Sequence, residues 1–230
     1  MLSNLPLVLS LPDMAALIGL FVVWFACVWI IENPPARHPS VSVLMKTYRH
    51  DWMRTFVTRS PRIFDGTLID SLRQGTAFFA SASLIAIGGG VALIGNASTV
   101  ERLAQDLPLD TVTVDLALKL LVPVAILSNA LLKFIWAHRL FGYCSIMMAA
   151  VPNDPADPLA FRRAEQAAKI NVTAARSFNR GLESINFALA SAGWLLGPGG
   201  LVLTTVVAAL VTLRREFWSH SRLVILDKTD

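Results

Sequence analysis

Charged residues are scarce. They make up 16% of this 230-residue chain, where a soluble domain carries about a quarter. Cysteine is scarcer still: Cys27 and Cys144 are the only two, too few for a disulfide framework or a metal site, and both read as free thiols. No Lys or Arg precedes Arg37. A secretory signal needs a positive n-region, so no cleaved peptide is expected. The four histidines, His38, His50, His138 and His220, lack metal-ligand spacing, and no metal or other cofactor is expected. HExxH, GxSxG, a Walker loop and a dinucleotide fingerprint are all missing, and Gly88-Gly89-Gly90 lies inside an apolar run where helix packing explains it. No Asp or Glu falls near the middle of an apolar run, where a proton or cation pump would place one.

Apolar sequence is what the chain has instead. Hydrophobic residues make up 54%, mean hydropathy is +0.56, and several runs approach the roughly 20 residues that cross a bilayer. The sequence predicts an all-α integral membrane bundle of about five spans in one domain, over 13–31, 73–94, 115–136, 182–196 and 200–213. Pro12 suits the first turn of the first span, and Glu32-Asn33-Pro34-Pro35 ends it. Small residues at Thr76, Ala77, Ala80, Ser81, Ser83 and Gly88 to Gly90 predict a second helix buried among others. The third span opens with Asp115 four residues before Lys119, and Pro123 can kink it. Residues 137–151 are too few to cross again, so the same helix is expected to protrude as far as Pro152. Asp157-Pro158 predicts the start of the next helix. Gly197-Pro198-Gly199-Gly200 then breaks a long apolar stretch into two short spans, each with small residues four apart: Ser184, Ala188, Ala192, and Thr204, Ala208, Thr212.

The net charge of +4 is unevenly placed. Residues 32–72 carry six Lys or Arg, and 158–180 carry five, whereas the 95–114 loop sets Arg102 against Glu101, Asp106 and Asp110. The positive-inside rule puts segments 32–72 and 152–181 in the cytoplasm and the 95–114 loop outside. Five spans then place the N-terminus outside and the basic tail (Arg214, Arg215, Arg222, Lys228) inside. Within 41–57, Val41, Leu44, Met45, Tyr48, Trp52 and Phe56 recur at helical spacing, with Lys46, His50 and Arg54 on another face. Such a helix either lies along anionic headgroups or docks on the bundle as a solvated connector.

Polar residues gather most densely between Asp115 and Pro152. Lys133 is 18 residues past Asp115, about 27 Å down a helix at 1.5 Å per residue, a depth from which lysine can snorkel to the inner interface. Asn129, one turn above, needs a partner across a helix interface. His138 and Arg139 sit with Trp136 and Tyr143 and read as an anchor belt or as a basic constriction favouring anions. Asn179, Glu183 and Asn186 meet the fourth span where it begins and are expected to pair with Arg180 or with Lys133. Asn129, Lys133, His138, Arg139, Glu183 and Asn186 thus form a candidate polar cluster at the inner face. Asp65, Asp70 and Arg73 form a second, more suited to orienting a helix than to catalysis.

The strings FDGTLIDSLRQGTAFFAS, KFIWAHRLFGY, INVTAARSFNRGLESINFALA and RREFWS resemble those of an uncharacterised bacterial and plant integral-membrane family, catalogued only as a domain of unknown function. The resemblance covers nearly the whole chain. It implies a polytopic membrane protein and assigns no catalytic residue.

The expected protein is therefore non-enzymatic and multi-pass, in the bacterial cytoplasmic (inner) membrane, with the lipid bilayer as its partner and no nucleic acid. One reading makes it an oligomeric pore or carrier for a small solute or anion. The other makes it an accessory or assembly protein that docks other membrane proteins through its small-residue faces.

Overall fold

The structure is a computed structural model that describes residues 9–96 and 116–227. The loop charges Glu101, Arg102, Asp106 and Asp110 lie outside the described residues, as do Asp115 at the expected start of the third span and Lys228 in the tail.

Among the described residues the chain is helical, with no strand. Helix α1 runs Leu11–Glu32, with Pro12 in its first turn and the Ser10 side chain accepting from the Asp13 N–H. It ends ahead of Pro34-Pro35, where the Asn33 side-chain and backbone N–H groups both return to the Trp29 carbonyl. Helix α2 is Val41–Thr58, capped by Ser40, whose hydroxyl also donates to the Ile31 carbonyl at 2.7 Å. Helix α3 spans Ile63–Gly95 and α4 spans Leu116–Ala149 with Pro123 inside it, so the stretch beyond Trp136 does continue the same helix. Helix α5 covers Ala160–Ser191 and tightens into a 3-10 turn over Ala192–Leu196. Its start differs from the expected one: the Asp157 carboxylate accepts from the Leu159 N–H at 2.7 Å in a turn before the helix. Gly197 then adopts φ 90°, a conformation that suits only glycine, and Pro198 opens α6, Pro198–Phe217. A short α7, His220–Leu226, closes the described chain.

Three helices, α1, α3 and α4, are long and apolar enough to cross a membrane. The helix that holds the bundle together is another one, α5, which packs against α1, α2, α4 and α6. Its buried face is mostly small: Ala160, Ala164, Ala167, Ala174, Ser177, Gly181, Ser184 and Ala188. Larger side chains of α4 fill the space this leaves, among them Phe134, Phe141 and Met148. Gly181 is required there, since a Cβ would lie 2.6 Å from the Phe134 ring. Polar residues are densest in 115–152, but α4 presents large residues to a partner whose alanines carry the packing.

The expectation that α3 is buried among other helices is overturned. It packs on α4, while Phe78, Leu84, Ile85 and Val91 are exposed and Gly88 and Gly89 have open space beside them. Its small residues are spread around the helix, so most face no neighbour. Thr76 and Ser83 are the buried ones, and Gly90 is tightly approached by Val124.

Helix α2 docks on the bundle through Met53, Phe56 and Val57, which join a core with Leu140, Phe141 and Met148. Tyr48 and Met45 remain exposed. A second core unites Leu20, Trp24, Phe187, Ala188, Trp194 and Leu201. The Gly-Pro break makes a close hairpin: a Cβ on Gly193 would meet the Thr204 hydroxyl at 2.2 Å. Ala192 is exposed, so Gly193 takes the packing position expected of it. Replacing Ala188 by leucine should overfill the second core and cost about 1–3 kcal/mol; an unchanged thermal midpoint in detergent would show that the site has room.

Candidate functional site

The two ends of α1 are tied to α5 and its 3-10 extension. At one end the Trp194 indole N–H donates to the Asp13 carboxylate at 2.8 Å, with both side chains buried. At the other, Arg180 grips Glu32 through two hydrogen bonds of 2.6 Å. Those hydrogen bonds to Glu32 hold the Arg180 guanidinium above its ordinary range. Residues 180–194 therefore run antiparallel to α1 over much of its length.

Beside the Glu32–Arg180 pair, the end of α1, the start of α2, α5 and the end of α6 enclose a cleft of about 250 Å³. Ser42, Lys46, Arg176, Asn179, Glu183 and Glu216 are among its lining residues. Glu216 binds the start of α2, accepting from the Ser42 backbone N–H at 2.9 Å and from its hydroxyl at 3.0 Å. Asn179 donates to that hydroxyl at 3.1 Å. Glu183 is different: only 8% exposed, with its Oε2 buried and lacking any hydrogen-bond partner among the described residues. A smaller cavity of about 90 Å³ adjoins it, lined by Asn179, Glu183, Asn186, Thr212 and Glu216 among others. The Thr212 hydroxyl there is likewise buried and unpartnered among the described residues.

The expected inner-face cluster is divided by the structure. Asn129 donates to the Ser184 hydroxyl at 2.9 Å, across the α4–α5 interface. His138 faces α3, its Nδ1 lying 3.2 Å from the Thr76 hydroxyl and 3.3 Å from the Arg73 carbonyl. The carbonyl can only accept, so a contact to it requires the tautomer with the proton on Nδ1. Arg139 donates to Tyr143 on an exposed face. Lys133 is half-buried, and its side chain forms no ion pair with Glu183 among the described residues. Arg180 pairs with Glu32 rather than with Glu183. Of the six, Glu183 and Asn186 line a common cavity. Lys133→Leu should consequently cost little, below about 1 kcal/mol, since it strands no ionic partner. A large loss of thermal stability in detergent would show a hidden one.

The second candidate cluster also separates. Asp65 turns toward α2, accepting from Trp52 at 2.7 Å and from Arg59. Asp70 is exposed and accepts from Gln74 at 2.6 Å. Neither pairs with Arg73, whose Nε is buried. Positions 65 and 70 lie about 140° apart around a helix, so one helix cannot aim both at the same place.

Sequence reasoning missed two pairs of groups. Glu32 and Glu216 stand at helix ends far apart in sequence, with no spacing to link them. Arg49 and Asn171 form a hydrogen bond between α2 and α5, with Asn171 fully buried. Burial pushes the Arg49 guanidinium below its ordinary value. A basic residue near an apolar helical face gave the only hint. Among the described residues, no three His, Cys, Asp or Glu side chains come together to hold a metal ion.

The architecture is that of an all-helical membrane protein, with three apolar helices and a polar cleft at one end of the bundle. The chain belongs to the family described as proteins of unknown function, DUF599, which matches residues 15–221. No curated protein and no solved structure matches it.

Proposed function

We propose that the protein is a small multi-pass carrier that binds a polar solute in the cleft between α1, α2, α5 and α6. The observation that carries this reading is Glu183: a buried carboxyl without a partner among the described residues, bordering two cavities. Burying such a group without hydrogen bonds is costly, and a structural carboxylate would have acquired them. The anion-selective mouth of Lys133, His138 and Arg139 draws no comparable support, since His138 and Arg139 face different neighbours.

In this reading the chain crosses a bacterial cytoplasmic membrane five times, with its N-terminus outside. The antiparallel match of 180–194 to α1 supports counting the hairpin as two further crossings. The basic residues of α2 and of the first half of α5 then face the cytoplasm, where anionic lipid can meet them. The cleft opens on that same side. Uptake of radiolabelled amino acids, polyamines and organic acids into proteoliposomes tests the carrier. Accumulation of one class above protein-free vesicles, lost in Glu183→Gln, is expected; no accumulation of any class overturns it.

The accessory reading is favoured by one separate observation, the exposed apolar face of α3 beside Gly88 and Gly89. Such a face suits lipid, a second copy or another membrane protein equally well. Native mass measurement in mild detergent decides: a different membrane protein retained in the assembly would favour docking, whereas a homo-oligomer or a monomer would not.

A further inference from the structure

Three acceptors around Glu183 suit one kind of ligand group, while Asn186 and the exposed Arg215 line the same cavity. Glu183 Oε2 and Thr212 Oγ1 are both buried without partners among the described residues, and both residues line the 90 Å³ cavity. Asn179 also lines it, and its amide nitrogen is already committed to Ser42, which leaves its carbonyl oxygen to accept. A carboxylate, a hydroxyl and an amide carbonyl make three acceptors, and a primary ammonium supplies three donors. In the adjoining 250 Å³ cleft, Lys46 and Arg176 offer positive charge. Arg180, by contrast, is already neutralised by Glu32.

We infer that the cleft recognises a small zwitterion, its primary ammonium held by Glu183, Thr212 and Asn179 and its anionic end by Lys46 and Arg176. This rests on the carrier reading and names its substrate class. Two sources share that chemistry: a free amino acid, or the ethanolamine phosphate headgroup of a lipid. A cavity filled only by water would satisfy the same orphan atoms, and binding measurements separate the cases.

Titration calorimetry of the detergent-solubilised full chain uses glycine, glycerophosphoethanolamine and N-acetylglycine. The inference expects glycine or glycerophosphoethanolamine to bind, and whichever binds more tightly identifies the source. N-acetylglycine, lacking the ammonium, should bind at least tenfold more weakly. Glu183→Gln should weaken the binding probe at least tenfold, and Lys46→Gln should weaken it severalfold. Thr212→Val, which removes one acceptor and little volume, supplies the same test should Glu183→Gln not fold. Equal binding of the acetylated probe, wild-type affinity in the folded variants, or no binding of any probe overturns the inference. Binding without vesicle uptake would leave the zwitterion site standing and remove only the carrier role; uptake of a solute without an ammonium would do the reverse.

Discussion

Trp194→Ala is expected to unfold or severely destabilise the bundle. The indole is fully buried in the core formed with Leu20, Trp24, Phe187 and Leu201. Deleting so large a side chain leaves a cavity that costs about 3–5 kcal/mol. It also removes the N–H that reaches Asp13, a carboxylate that is itself fully buried. Trp194→Phe separates the two effects: most of the volume stays, and the lost hydrogen bond should cost about 1–3 kcal/mol. Thermal unfolding in detergent reads both. A wild-type midpoint for Trp194→Ala would mean that the hairpin does not pack on α1.

Arg59→Ala should be nearly as damaging, by a different route. Asp65 is fully buried, and Arg59 is the cation that pairs with it among the described residues. Trp52 contributes one neutral hydrogen bond to the same oxygen, and the other oxygen has no partner among those residues. Removing the cation strands a buried carboxylate, which typically costs about 3–5 kcal/mol. The lower end applies, because the Arg59 side chain is 32% exposed. Asp65→Asn added to Arg59→Ala should recover part of the loss, since the stranded charge is gone. Failure of that rescue would place the cost in the packing of Arg59 on Phe64 rather than in the pair.

The helices were largely legible in the sequence because their ends are marked by strong local chemistry. Pro34-Pro35, Pro152 and Gly197-Pro198 interrupt the chain where backbone geometry forbids a continuing helix. The packing was less legible. Alanines along α5 recur on one face of an amphipathic helix, but their spacing does not say which helix will pack there, and it is α4 that they let approach closely. The small residues of α3 gave the opposite error, since smallness permits close packing without requiring it. The candidate site was read only in fragments. Glu183 and Asn186 stood out as polar groups at the start of an apolar stretch, but their setting depends on Ser42 and Glu216, 174 residues apart. Nothing local in a sequence records a contact of that separation.

Thiol labelling tests the central claim, a multi-pass chain whose cleft opens to the cytoplasm. Cys27 and Cys144 are buried and should stay silent, so single cysteines introduced at exposed Asn96, Gly199 and Asp227, and at Ala175 in the cleft, can be read one at a time. With an impermeant reagent, Asn96→Cys and Gly199→Cys should react in right-side-out vesicles. Asp227→Cys and Ala175→Cys should react only in inverted ones. Labelling of Asp227→Cys or Ala175→Cys from outside, or an Ala175→Cys that reacts from neither side, would contradict the account.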